Sequence, residues 1–333
     1  MYYLRYHIII FFTFAIYLPF MALFNICTTN KMKMIDKLTI LIPVYNDDAS
    51  SLVQALVAEA RNVKGLDYEI IVFDDGSTDA RCIDANHRLA LLPGCNYVSA
   101  PHHPCRASMR NAMLRQGRYE WCLMIDARLR PANSDFISRY VHAGADGCGA
   151  VCGGVVVDGG KNAKKLYREN LRFRYEKHAE SLHSVAIRQQ HPYQSFRTTN
   201  ILLRRSVLQH TPYDERIIGY GYEDVMLGRD LEHAGIKVLH IDNPVAYTSF
   251  EDNDRYLAKT EEAMHTLRQN SDKLGMYSPI LNAVSKLTAL HLLWLIRTWH
   301  RIFGHIERST LCGANPQLAV FKLYKLGYYA SLP

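Results

Sequence analysis

Short apolar runs alternate with amphipathic stretches through the first half of this chain. Leu38–Ile42 is a block of strand-forming residues, and residues 48–62 then place Leu52, Leu56 and Ala60 at helical spacing. The pairing returns as a strand over 69–73 with a helix over 79–91. It returns again as a short strand over Asn96–Ser99 with a helix over 104–116, where Gly117 is placed to stop it. A further strand over 120–125 ends at Asp126. Strand and helix in regular succession predict βαβ units and a mostly parallel, twisted sheet flanked by helices, an α/β fold.

The second half is less regular. The glycines from Gly147 to Gly160 bracket a strand over Val151–Val157. A charged, aromatic helix is expected over 163–187, then a strand over Arg197–Leu203 and the start of another helix. A helix from Glu223 to about Ala234 is stopped by Gly235, a strand follows at Ile236–Ile241, and Asn253 to about Leu274 reads as a polar amphipathic helix. Residues 281–306 mix Leu281, Leu295, Trp299, Ile302 and Phe303 with Arg297 and Arg301. That mixture suits either a helix packed on the body or one lying in a membrane interface. There is no internal repeat and no low-complexity segment.

Two of the buried-type strands deliver polar clusters at their carboxyl ends. The first ends on Pro43-Val44-Tyr45-Asn46 and the second on Asp74-Asp75-Gly-Ser-Thr-Asp79. In an open α/β sheet, ligands bind at that edge. Asp74 and Asp75 suit the hydroxyl and amide N–H groups of a nucleoside, and Tyr45 can stack on a base. The plainer reading makes Asp47 and Asp79 helix caps. The Gly147–Gly160 stretch gives no G-x-G-x-x-G and opens no helix, which excludes a dinucleotide-binding dehydrogenase.

These two motifs, in this order, resemble the inverting family 2 glycosyltransferases, whose fold is GT-A. Three further stretches extend the resemblance over about 38–250. Arg106-Ala-Ser-Met-Arg110-Asn111 resembles the family's Gly-Arg-x-x-x-Arg-Asn, with Cys105 in place of the glycine. Either arginine could fork onto phosphate oxygens. Asp126-Ala-Arg128 occupies the place of the Asp-x-Asp that holds the donor ribose and a divalent ion. Gly219-Tyr-Gly221-Tyr222-Glu223-Asp224 resembles the acceptor loop. The resemblance implies Asp224 as the base that takes the acceptor proton and Glu223 as the residue that orients the acceptor. It assigns Pro43, Tyr45, Asp74, Asp75, Arg106, Arg110, Asp126 and Arg128 to the donor, and Thr199, Asn200, Gly221 and Tyr222 to the acceptor. Lys322-Leu-Tyr-Lys-Leu-Gly-Tyr-Tyr resembles the ends of bacterial members that assemble glycans of the cell envelope.

Two departures bear on the metal. Arg128 stands where the second carboxylate belongs, and Tyr247 stands where the family places a ligating histidine. Mg²⁺ or Mn²⁺ is the cofactor that the resemblance implies, with Asp126 as the remaining ligand. The replacement of two ligands at once points instead to a metal-independent enzyme in which Arg128 supplies the positive charge. For His240 and Asp242, ordinary strand-end roles are expected. The expected function is transfer of a hexose from a nucleotide-sugar donor, UDP-linked, to a glycan or lipid-linked acceptor. The alternative is a catalytically inactive nucleotide- or sugar-binding relative. A nucleotidyltransferase would need a glycine-rich phosphate loop after the first strand, which Pro43-Val-Tyr-Asn is not.

Composition narrows the setting. The 333 residues are 48% hydrophobic and 21% charged, enough for a large core and unlike a disordered chain. The formal charge of +7 is concentrated at the ends: residues 282–333 carry six Lys or Arg against Glu307 alone. That distribution excludes a nucleic-acid-binding body and fits an anionic membrane surface. Eight cysteines, none in paired metal-binding knuckles, read as reduced and mostly buried, so the expected location is the cytoplasm or the cytoplasmic face of a membrane. Residues 1–37 form an apolar N-terminal segment in which Ile8–Phe24 reads as an anchor, a signal peptide without a clear cleavage site, or an over-long start, since Met32 and Met34 precede the first strand. The expected divisions are this segment, a catalytic domain over 38–274, and a helical basic tail over 275–333.

Overall fold

Strands β1 (Lys37–Val44), β2 (Asp67–Asp75), β3 (Cys95–Ala100) and β4 (Trp121–Ile125) run parallel in the order β3-β2-β1-β4. The computed structural model describes residues 34–144 and 147–333. The expectations for Ile8–Phe24 lie outside them. Helices α1 (Ser50–Asn62), α2 (Ala80–Arg88) and α3 (Arg106–Gln116) make the crossovers. Alternate strand residues face opposite layers. Leu38, Ile40, Ile42, Ile70 and Val72 join one buried cluster, while Leu41, Ile71 and Phe73 join the other. Both faces are covered, so these strands read as continuous apolar runs.

β5 (Leu129–Pro131) and α4 (Phe136–Ala143) follow, then β6 (Ala150–Cys152) and β7 (Val155–Val156). The single strand expected over Val151–Val157 is split between two sheets. Gly153 makes the switch: a Cβ there would lie 2.3 Å from both the Asn243 carbonyl and the Tyr140 hydroxyl. The helix expected over 163–187 is three helices, α5 (Ala163–Glu169), α6 (Leu171–Leu182) and α7 (Val185–Gln190). Asn170 breaks the first junction and caps α6 by accepting from the Phe173 N–H at 2.8 Å.

The sheet is mostly parallel, as expected, and the strand that runs against the others is β8 (Asn200–Arg204). It runs antiparallel to both β4 and β6, because the preceding connection leaves the chain at the carboxyl edge, where Asn200 pairs with Ile125. α8 (Arg205–His210), α9 (Glu223–His233) and β9 (Val238–His240) complete the seven-stranded order β3-β2-β1-β4-β8-β6-β9. β10 (Val245–Tyr247) pairs with β5 and β7 in a small second sheet. α10 (Asn253–Gln269) and the one-turn α11 (Ser271–Leu274) lead into the tail helices α12 (Pro279–Ala289), α13 (Leu293–Cys312) and α14 (Leu318–Ser331).

Residues Ile35–Pro333 form one compact unit. The tail packs on it through two apolar clusters. In one, Leu281 and Tyr329 meet Ile217, Met226 and Met264. In the other, Leu311, Phe321 and Tyr324 meet Leu171 and Leu257. No disulfide joins the described cysteines, five of which are buried. Among the described residues no single helix is long and apolar enough to cross a membrane; α12 and α13 pass that test only together, and they are bent by 115°.

Candidate active site

The carboxyl ends of β1, β2 and β4 lie side by side, since Val44 pairs with Asp74 and Leu41 with Met124. Asn46 binds the first two ends together. Its backbone is left-handed, with φ 54°, and its Oδ1 accepts from the Thr78 and Asp79 N–H groups at 2.7 and 2.8 Å. Gly76 closes the second turn at φ +79°, where a Cβ would come within 2.7 Å of the His102 nitrogen. Asp74 is a turn residue. It is buried, accepts from Ser77 N–H at 2.7 Å and from Tyr97 Oη at 2.5 Å, and so both its oxygens are engaged. Asp74 is 1% exposed against 8% for Asp75, and that burial corrects its assignment to the donor. Asp75 faces His102 and His103, with imidazole nitrogens 2.9 and 2.5 Å from its carboxylate. Tyr45 is half exposed, with its ring 5.0 Å from that of His102. Tyr45, His102 and Asp75 thus make one wall. His102 and His103, just before the Arg106 motif, were not anticipated from the sequence.

Opposite that wall stands a cluster of guanidinium and carboxylate groups. Cys105 takes the N-cap place of α3, its sulfur accepting from Ser108 N–H at 3.4 Å. Arg106 lies over the Tyr220 ring at 4.4 Å and stays half exposed. Arg110 is buried, 2.6 Å from Glu223 Oε1 and 3.9 Å from Asp126. Burial pulls the Arg110 guanidinium down, but Glu223 and its other anionic neighbours outweigh that and raise it. Burial likewise pushes Glu223 up, yet Arg110 and Arg106 hold it below the usual carboxylate range. Arg110 and Glu223 are therefore a locked internal pair. This corrects the reading of Arg110 as a phosphate ligand, and it fixes Glu223 in place one residue before Asp224.

Asp224 is different. It sits at the first turn of α9 and accepts only from the Val225 N–H at 2.8 Å. Burial and the adjacent Glu223 push its carboxyl up to about 6, against the pull of Arg110 and Arg197. Gly221 and Tyr222 turn the loop before it at φ +82° and +67°. A left-handed tyrosine is strained backbone of a kind that collects at functional sites. The Tyr222 ring packs into the cluster with Leu281 and Tyr329.

Asp126 is bonded at its N–H to the Thr199 carbonyl at 3.2 Å, so Thr199 remains beside it. Asn200 does not serve the acceptor. It is buried, with Nδ2 donating to the Gly154 and Asn243 carbonyls and Oδ1 accepting from Tyr140 Oη at 2.7 Å, and so it supports the sheet switch. Pro43 lies inside β1, opposite Phe73. Arg128 Nε is 2.6 Å from Asp47, which therefore pairs across the cleft instead of capping α1. Tyr247 stands against this segment: it pairs with Leu129, and the Thr248 N–H donates to the Arg128 carbonyl. The sequence reading missed Arg172. Its guanidinium lies 4.8 Å from the Tyr247 ring centre, one arm 2.8 Å from Glu251, and its buried Nε has no hydrogen-bond partner. His240 is a core histidine held between Arg188 and the Pro192 carbonyl, its pKa lowered by burial to about 4, and Asp242 is exposed; neither joins the site. A cavity of about 250 Å³ beside β7 is lined by Glu176, Arg188 and Arg197, the last of which also acts on Asp224.

Glycosyl transferase family 2 matches residues 39–211, just over half of the chain. The chain belongs to this family. The family 2 assignment agrees with the fold of the mannosyltransferase PcManGT from Pyrobaculum calidifontis, solved with GDP-Man and Mn²⁺. That protein is 15% identical over 88% of this chain and 84% of its own, at a TM-score of 0.55. Two weaker likenesses are TarS 1-349 of S. aureus with UDP (14% identity, 89% and 90% covered, TM-score 0.46) and glucosyl-3-phosphoglycerate synthase of Mycobacterium tuberculosis with Mn²⁺ and UDP (17%, 70% and 79%, 0.45). No curated protein matches at the level of sequence.

Of the residues expected to hold a divalent ion beside the donor, this family 2 chain keeps Asp126. Among the described residues no three His, Cys, Asp or Glu side chains gather in a way that could hold one. Asp126 instead has Arg110 at 3.9 Å, and the two positions where ligands belong carry Arg128 and the Arg172-stacked Tyr247. Each of these guanidinium groups is itself paired with a carboxylate, Arg110 with Glu223, Arg128 with Asp47 and Arg172 with Glu251.

Proposed function

We propose that this family 2 member moves a hexose from a nucleotide-sugar donor, UDP-linked, to a hydroxyl of a glycan or lipid-linked acceptor with inversion, and that arginines do the work of the metal. The observation that carries the proposal is the part-buried Asp224 carboxyl, bonded only by the Val225 N–H and raised to about 6 beside the Arg110–Glu223 pair. In this reading Tyr45 stacks on the base and Asp75 accepts from its imide N–H. Asp126 holds the ribose. Asp224 removes the proton from the acceptor hydroxyl as its oxygen bonds to the anomeric carbon. The carbon–phosphate oxygen bond breaks, and its electron pair leaves with the nucleoside diphosphate.

Arg128 and Arg172 neutralise the charge that develops on that leaving group. Removing one such preorganised group typically costs about 10²–10³ in rate. Arg106, half exposed over Tyr220, is a third cation toward the phosphates. The setting is the cytoplasm or the cytoplasmic face of a membrane. The test is donor consumption across a panel of nucleotide sugars, in EDTA, by the wild type and by Asp224→Asn. Turnover in EDTA that the variant loses supports the proposal. Turnover that needs Mn²⁺ contradicts the arginine substitution. The same two replacements, Arg128 and Tyr247, favour a second reading in which the chain binds the nucleotide and never turns it over. Tight UDP binding with no donor consumed at all would select that reading.

A further inference from the structure

The tail has two apolar faces and uses only one. Gly304, Glu307 and Leu311 of α13 face inward and are buried against the body. Leu295, Trp299, Ile302 and Ile306 follow at i, i+4, i+7 and i+11, which places them on one outer face, and all four are exposed. At the elbow where α12 meets α13, Leu290 and Trp294 are 65% and 61% exposed, extending the same apolar ridge. Packing on the catalytic body therefore does not account for this surface, and an apolar patch of this kind marks an interaction site.

Charge identifies what covers it. From residue 275 to the end, Glu307 is the only acidic side chain. It is buried, accepting from Trp299 Nε1 at 2.7 Å. Arg297 and Arg301 of the same helix, Lys286 of α12 and Lys322 of α14 are exposed. The surface is thus apolar with a purely cationic margin and tryptophans at its edge, the chemistry of a helix lying in an anionic lipid interface. A second copy of the chain would bring like charge against like. We infer that the α12–α13 elbow docks on an anionic lipid leaflet.

The elbow also connects to the acceptor loop. Leu281 of α12 and Tyr329 of α14 share a cluster with Ile217, Met226 and Tyr222, the strained residue just before Glu223 and Asp224. Docking holds that loop at the lipid surface, which suits an acceptor carried on a lipid. This extension rests on the transferase proposal; the docking itself does not.

Tryptophan fluorescence of the full chain tests the docking at the right place, because Trp121 is buried and the other two tryptophans, Trp294 and Trp299, sit on the ridge. Vesicles of phosphatidylcholine with phosphatidylglycerol should shift the emission to the blue. Brominated phosphatidylcholine in those vesicles should quench it, and high salt or phosphatidylcholine alone should weaken both effects. Leu295→Ser with Ile302→Ser should weaken partitioning by about tenfold or more. Donor consumption without vesicles should be unchanged in that variant, which separates failure of the docking from failure of the transferase reading. Vesicle binding that leaves both ridge tryptophans open to acrylamide overturns the inference, because another segment then carries the attachment. A blue shift that grows with protein concentration in the absence of lipid also overturns it, in favour of self-association.

Discussion

The pH dependence of transfer follows from the environment of one carboxyl. Asp224 must be ionised to accept the acceptor proton, and its pKa stands at about 6 instead of the ordinary 3.8. At that value the ionised fraction is roughly 0.9 at pH 7 and 0.1 at pH 5, so kcat/KM should fall about tenfold between them. An unperturbed carboxylate would remain more than about 90% ionised at pH 5 and give a nearly flat profile. The burial and the Glu223 charge that raise the pKa act in the same direction, so Glu223→Gln should move the acid limb toward lower pH. The stability effect has the opposite sense. Because the folded pKa lies above the unfolded one, the ionised carboxyl opposes folding, and Asp224→Asn should stabilise the protein above pH 6 while abolishing transfer. The assay is initial-rate donor consumption from pH 4.5 to 8 with the best donor of the panel. A profile flat down to pH 5, or an acid limb that persists unchanged in Glu223→Gln, would refute the assignment of Asp224 as base.

Other expectations concern the groups around it. Arg110→Leu leaves Glu223 buried without its partner, and breaking such a pair costs about 3–5 kcal/mol; urea unfolding should show it, and a loss below 1 kcal/mol would mean the pair is dispensable. Asn46→Ala removes the side-chain acceptor for the Thr78 and Asp79 N–H groups, so about 2 kcal/mol of stability should go, together with UDP affinity. Unchanged UDP binding would show that the two turns hold together without it. Arg172→Gln should lower kcat by about 10²-fold, because its charge is assigned to the leaving diphosphate, and should cost less stability than Arg110→Leu, because Glu251 keeps Lys259 as a partner; an effect on Tm alone would make it a packing residue.

The parallel half of the fold was legible because β1, β2 and β4 are buried on both faces and end abruptly on polar turns. The second half was not, for local reasons. Gly153 switches sheets through close contacts made by Asn243 and Tyr140, residues distant in sequence. Asn170 interrupts what periodicity alone reads as one helix, by capping from its side chain. At the candidate site, motif position pointed to Tyr45, Asp75, Asp126 and Asp224, all at the ends of strands or the start of a helix. It could not separate Asp74 from Asp75, since only the fold shows that the first carboxylate is sealed inside the turn, bonded by Ser77 and Tyr97, while the second reaches the surface. Arg110 and Glu223 looked like ligands because their mutual contact spans 113 positions. Arg172 gave no signal at all: its role comes from lying against Tyr247, a pairing that no spacing rule predicts.

The claim on which the account depends is that a nucleoside diphosphate is held in this cleft by arginine charge and not by a metal. Calorimetric titration of UDP into the full chain, in EDTA and then in excess Mn²⁺, measures this directly, with Arg128→Leu and Arg172→Leu as the partner experiments. The account predicts the same affinity in both buffers and about tenfold weaker binding for each arginine removed. Binding that appears only with Mn²⁺ and ignores both substitutions would contradict it.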